Sequence, residues 1–262
     1  MKNFLLAIAL IAIMVTGVAL TGCKKELLTD RGPIVTKEYD ITDFTGIKVG
    51  HAFELEVTPS DTYKISITAS ESVLDRVDVS KKGSVLDIDM SAWFFSWHRS
   101  PKVVITMPSL QKLELSGASN ANIQGFKSSN PLDLLITGAS SLDIDMETGD
   151  FTAELSGASS FNGYLKTANS DLDLSGASHM KLEGGANDVI LKASGASDVK
   201  LKDFPVTNAD IDFSGASHGE LDVSGRLDVE LSGASSLDYY GNPTLGKIDI
   251  SGASDIENKE ID

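Results

Sequence analysis

The 262-residue chain has a single cysteine and few aromatic side chains, 6% in all. One cysteine excludes an internal disulfide and any metal site built on thiolates. Even with so few aromatics, the 41% hydrophobic content suffices to bury a sizeable core, which argues against a disordered chain. Positive charge is also scarce: 22 Lys and Arg stand against 38 Asp and Glu, a net charge of −16. Such a chain repels nucleic acid and anionic membrane surface and favours cations or basic surfaces, although acidity alone also keeps an exported β-rich protein soluble. No stretch carries a convincing helical period, and no glycine-rich turn leads into a helix that could cradle phosphate.

The one long hydrophobic run lies at the N-terminus. Lys2 supplies a positive start, Phe4 to Val15 an apolar stretch, and small residues lead to Cys23. Residues 4–20 are almost long enough to span a bilayer as an uncleaved anchor. Against that, Leu20-Thr21-Gly22-Cys23 has the pattern of a lipobox, similar to those of bacterial lipoproteins, in which a branched apolar residue and two small ones set the scissile bond beside a thiol that receives lipid. The sequence therefore predicts a signal peptide over 1–22, lipidation of Cys23, a polar tether over 23–33, and export to the cell envelope (outer membrane, periplasm or cell surface) with the membrane as partner. Loss of residues 1–22 removes Lys2 and moves the net charge from −16 to −17.

From Ile34 to Pro108 apolar and polar residues alternate, as in Phe53-Glu54-Leu55-Glu56-Val57 and Val85-Leu86-Asp87-Ile88-Asp89-Met90, which reads as strands with one face inward. From about residue 110 a Ser/Thr-Gly-Ala-Ser repeat takes over, its glycines at 117, 138, 157, 176, 195, 215, 233 and 252. Four residues before each glycine, and again two before it, every copy is apolar: Leu113 and Leu115 in the first, Ile248 and Ile250 in the last. Between these stand Glu114, Leu135, Glu154, Asp173, Lys192, Asp212, Glu230 and Asp249. Four residues after the glycine the alternation resumes with Ala121, Leu142, Phe161, Met180, Val199, Leu237 and Ile256, Gly219 being the exception. Each unit is strand, corner, strand, with the glycine releasing the backbone and the alanine expected to face a cramped interior.

Units this short must stack to bury their apolar faces. The prediction is an all-β, right-handed, single-stranded parallel β-helix (β-solenoid) with coils of about 19 residues over 34–258, regular over 110–258. A propeller blade would need about 40 residues per repeat. A β-sandwich would not demand eight near-identical corners at fixed pitch.

The lead-in Phe44-Thr45-Gly46-Ile47-Lys48-Val49, the strand Phe53-Glu54-Leu55-Glu56-Val57, the run Val103-Val104-Ile105-Thr106-Met107-Pro108-Ser109-Leu110 and the Ser-Gly-Ala-Ser coils carry a likeness. Over residues 38–257 the chain resembles the putative autotransporter adhesin head GIN domain family of exported bacterial proteins. The resemblance implies a right-handed β-helix, no catalytic residues and an adhesive or surface role.

Several constellations are candidates for chemistry. Acidic residues stacked about 4.8 Å apart repel by up to roughly 1 kcal/mol per pair. A calcium ion would relieve that, as would screening on a solvated face. The serine files flanking each glycine offer regular hydroxyls for sugar or ice, or simply bond one another and hold the turns. His179 and His218 share a coil position two coils apart, about 9.6 Å, too far to ligate one metal. The segment Trp93-Phe94-Phe95-Ser96-Trp97-His98-Arg99 holds both tryptophans, and Trp93, Phe94, Phe95 and Trp97 are the candidate ligand-binding residues, for a glycan, a membrane interface or a partner protein. The alternative is a flap capping the solenoid against edge pairing. No catalytic residue, metal ligand or cofactor is expected. The functional expectation is a non-enzymatic envelope lipoprotein, an adhesin or structural binding module. A carbohydrate-binding or carbohydrate-active β-helix and a passive envelope component are the alternatives.

Overall fold

Alternation at every second residue makes each coil two-faced, so that stacking turns the apolar face of one coil into the floor of the next. In the computed structural model, which describes residues 28–29, 32–91, 95–96 and 99–260, the result is a parallel β-solenoid. Two files of parallel strands rise along the column. One holds Gly46–Val49, Lys112–Leu115, Leu132–Ile136, Phe151–Leu155 and Asn169–Leu174, then the second halves of His179–Ala193, Asp198–Phe213 and His218–Leu231, then Thr244–Ile250. The other holds Glu54–Pro59, Asn120–Lys127, Ser141–Glu147 and Ser160–Lys166, then the first halves of the same three long strands, then Ser236–Tyr240 and Asp255–Asn258.

The apolar files read from the repeat form the core: Leu113, Leu134, Leu172 and Ile211 in one row and Leu115, Ile136, Leu174 and Phe213 in the next are 0–3% exposed. Each such side chain contributes about 1.5–3 kcal/mol by leaving water. Gly219, the gap in the third row, has a packing reason. A Cβ there would lie 2.5 Å from the Phe213 ring, which fills the space a side chain at 219 would take.

At the corners both steric arguments for glycine apply. Gly138, Gly157, Gly176 and Gly195 have φ of 78–84°, and a Cβ on any of them would stand 2.4 Å from the glycine carbonyl of the preceding coil. That carbonyl accepts the N–H of the next coil's alanine, as in Ala158 to Gly138 at 2.7 Å. The alanines, however, do not face the interior: all eight are exposed, and the serine after each is the inward residue, with Ser119, Ser159 and Ser178 fully buried. The turn points glycine and alanine outward in succession, so that one inward position is skipped and the alternation resumes in phase at the serine, whose hydroxyl comes over the carbonyl three residues back. Ser159 donates to Ser156 at 2.7 Å and Ser178 to Ser175 at 2.8 Å.

The N-terminal end is built differently. Gly46–Val49 and Glu54–Pro59 form the first coil in sequence but the second in space. Val85–Met90 and Lys102–Met107 lie beneath it, and Lys112–Leu115 and Asn120–Lys127 above it, all parallel. Two antiparallel borders close this end: Val77–Lys82 on Val85–Met90, and Lys64–Ser70 on Lys102–Met107 with Ile34–Tyr39 outside it. Between the borders sits a one-turn helix, Glu71–Leu74, that tucks Val73 and Leu74 into the core. Its four residues are too few to show a period. The tether departs from the sequence expectation as well. Leu28–Thr29 pairs in parallel with Phe95–Ser96, so neither the tether nor the aromatic segment is irregular throughout.

The C-terminal end has no such closure among the described residues. Leu245, Ile248 and Ile250 occupy core positions of the last coil yet are 51%, 39% and 39% exposed. Among the described residues every fully buried side chain lies between Phe44 and Leu237, so the core they form is held by the chain from Ile34 onward.

Candidate functional site

Register alignment shows what the aromatic segment is. Gly50-His51-Ala52-Phe53 lies directly beneath Ser116-Gly117-Ala118-Ser119, which makes it a ninth corner. His51 stands there in the glycine's place with φ 61°, and its carbonyl accepts the Ala118 N–H. In the coil below, Ile88 pairs with Val49 and Lys102 with Glu54, so residues 89–101 span what four residues span elsewhere. The chain joining these two strands of the lowest coil is thus nine residues longer than the corner above it. Asp89 fixes the His51 ring through Nδ1 at 2.6 Å. No glycine marks this corner, so the repeat did not reveal it.

Trp93, Phe94 and Trp97 lie outside the described residues, as does Cys23. Of the segment, the backbone of Phe95–Ser96 is placed, joined to Leu28–Thr29 five residues beyond Cys23. A pocket of about 260 Å³ opens close by, lined by Ile34, Glu54, Ala69, Ser70, Arg99 and Lys102.

The acidic file is interleaved with cations rather than bare. Glu114 meets Lys112 at 2.9 Å and Lys48 at 3.7 Å, and Glu230 meets Lys247 at 2.7 Å. These hydrogen-bonded carboxylates raise the Lys112 and Lys247 pKa values above the ordinary lysine value. Next to Glu230, the Asp228 carboxyl is held below its usual range by the Arg226 guanidinium and the Lys247 backbone N–H. Among the described residues no group of three or more His, Cys, Asp and Glu has the geometry to hold a metal ion. Asp198 lies between His179 and His218 on adjacent coils. His179 approaches it at 3.8 Å, while His218 turns instead to Ser236 at 2.8 Å.

The serine hydroxyls serve the corners. The buried row bonds its own turns, and the row before the glycine donates to the coil beneath, as Ser175 does to Leu155 at 3.3 Å. One aromatic contact surface was missed by the sequence reading. Tyr164 is 42% exposed beside a shallow groove of about 320 Å³ formed by Lys166, Gly184, Gly185, Asn187 and Pro205. Its outward phase, between Asp145 and Glu183, was available in the alternation.

These features define a parallel β-solenoid whose described side faces carry charge and one exposed tyrosine and whose two ends differ. The chain belongs to the family described as "Putative auto-transporter adhesin, head GIN domain", whose model matches residues 43–243. Its fold is shared with solved structures of low identity. A putative lipid binding protein from Parabacteroides distasonis is 17% identical with a TM-score of 0.83, over 88% of this chain and 99% of that one. A putative adhesin from Parabacteroides merdae is 18% identical with a TM-score of 0.82, over 88% and 98%. A putative adhesin from Bacteroides fragilis is 18% identical with a TM-score of 0.64, over 88% and 100%. No curated protein matches the sequence. Among the described residues no helix is long and apolar enough to cross a membrane.

Proposed function

We propose that the protein is a non-enzymatic envelope lipoprotein, anchored through Cys23, that acts as an adhesive binding module. The observation that carries this reading is the pairing of Leu28–Thr29 with Phe95–Ser96 at the closed end of the column. Five residues reach at most about 17 Å, so a lipid on Cys23 would hold that end at the membrane and leave the column, roughly 43 Å for ten stacked strands, projecting from it. The strand Phe95–Ser96 would then lie on the membrane side of the column, at a depth that suits aromatic residues. The family and its solved relatives, named as adhesins or lipid binding, support a ligand-binding role.

The test is to challenge the domain from Ile34 onward with an array of glycans and matrix proteins, with and without calcium. Retained ligands support adhesion, and a blank array in both conditions overturns it in favour of a passive envelope component. Loss of a ligand in Trp93→Ala/Trp97→Ala would assign the contact to the aromatic segment. Fatty-acid labelling of the full chain, expected to vanish in Cys23→Ser, checks the anchor separately.

A carbohydrate-binding reading has one observation in its favour, the Tyr164 ring beside an open groove with flat glycine walls, where a sugar ring could stack. A glycan signal abolished by Tyr164→Ala would establish it.

A further inference from the structure

We propose that the open end of the column docks onto the open end of a second copy, strand Thr244–Ile250 pairing antiparallel with itself about a two-fold axis at Ile248. The inference does not depend on lipidation or on any ligand.

The edge has the right hydrogen-bonding phase. Lys247 and Ser251 turn their N–H groups back to the preceding coil, onto Asp228 Oδ1 at 2.6 Å and the Leu231 carbonyl at 2.9 Å. By alternation Ile248 and Ile250 turn theirs to the open side, where the chain offers no partner among the described residues. A two-fold axis at Ile248 makes its two copies a hydrogen-bonded pair that exchanges both bonds. Ile250 then faces Gly246 of the second copy, where no side chain obstructs it.

Charge selects this register. A lone lysine on an edge strand deters pairing. Here the residue two along is Asp249, so the axis at Ile248 sets Lys247 against Asp249 of the second copy, twice. Shifting the axis to Ile250 sets Asp249 against Ser251 and loses both pairs. The neighbouring edge, Asp255–Asn258, is not self-matching, since an axis at Ile256 would oppose Asp255 and Glu257. Glu257 is however already engaged by Lys259 at 2.5 Å, which limits the repulsion there. The exposed core residues Leu245, Ile248 and Ile250 would be covered by their counterparts, joining two cores end to end. A head-to-tail contact would have to use a border strand of the closed end and would propagate into filaments.

The experiment is sedimentation equilibrium of the chain from Ile34 onward, micromolar to millimolar. A monomer–dimer equilibrium is expected. Lys247→Glu and Asp249→Lys, each of which places like charges opposite, should each weaken the dimer by roughly tenfold or more. The double variant Lys247→Glu/Asp249→Lys restores opposite charges and should restore the dimer. Circular dichroism and melting confirm that each variant is folded. A monomer at every concentration, open-ended growth of filaments, or a dimer indifferent to both reversals would each overturn the proposal.

Discussion

The two ends of the column solve the same problem in opposite ways. From residue 110 onward each coil rests on the one before it, so sequence order and spatial order coincide, and among the described residues nothing covers the last coil. Before residue 110 the chain lays a coil, descends through antiparallel borders, builds a second coil beneath the first, and then passes back above both. The first coil is gripped from both sides by segments made later. The difference teaches that a solenoid edge is closed by abandoning the repeat: the closed end needs a helix, antiparallel strands and a lengthened connection, none of which repeats.

The strongest way to break this contrast is at a corner. Gly157→Ala forces a Cβ to within 2.4 Å of the Gly138 carbonyl at φ 84°, and at least about 3 kcal/mol of stability should be lost in urea unfolding. His51→Gly, at the corner where a histidine stands in the glycine's place, loses its bond to Asp89 and should cost under about 1 kcal/mol. Next in size is a core truncation: Leu172→Ala, wholly buried in mid-column, should cost about 3 kcal/mol, whereas Ile248→Ala in the bare coil should cost under about 1 kcal/mol. Removing residues 244–262 takes the last coil, exposes the one beneath, and should lower the melting temperature by a few degrees while preserving the circular dichroism of the remainder. A shorter deletion, of residues 77–90, should abolish folding. The smallest effect is electrostatic. Asp228 has a folded-state pKa below its ordinary value, so its stabilisation is present above the ordinary carboxylate range and lost as pH falls through the depressed value. Asp228→Asn should therefore melt slightly earlier than the parent at neutral pH, and the gap should close in acid.

What the sequence made legible follows the same divide. Corner glycines at fixed pitch and flanking apolar pairs revealed the coil, the stacking direction and the core, because each coil repeats one steric demand. The alanines were misplaced because their small size was read as crowding, although their odd offset from the inward rows puts them in the outward phase. His51 escaped because its corner lacks the glycine that marks the others. The interleaved coils and the pairing of Leu28–Thr29 with Phe95–Ser96 occur once each, so no comparison within the chain could expose them. Tyr164 was visible as an outward residue but not as a neighbour of Gly184 and Pro205, which lie one and two coils on.

The hydrogen bonds between coils point along the column, and this gives the molecule a mechanical character. With the closed end anchored as proposed, tension from a load on the bare end would open these bonds one strand at a time, as a zip, rather than shearing many together. Coils would shed in order from the loaded end, each lengthening the tether by some 19 residues of released chain and dissipating work. Shedding would stop at the interleaved coil, which cannot peel because later segments hold it above and below. Under pull the column would behave as a shock absorber with a fixed foot.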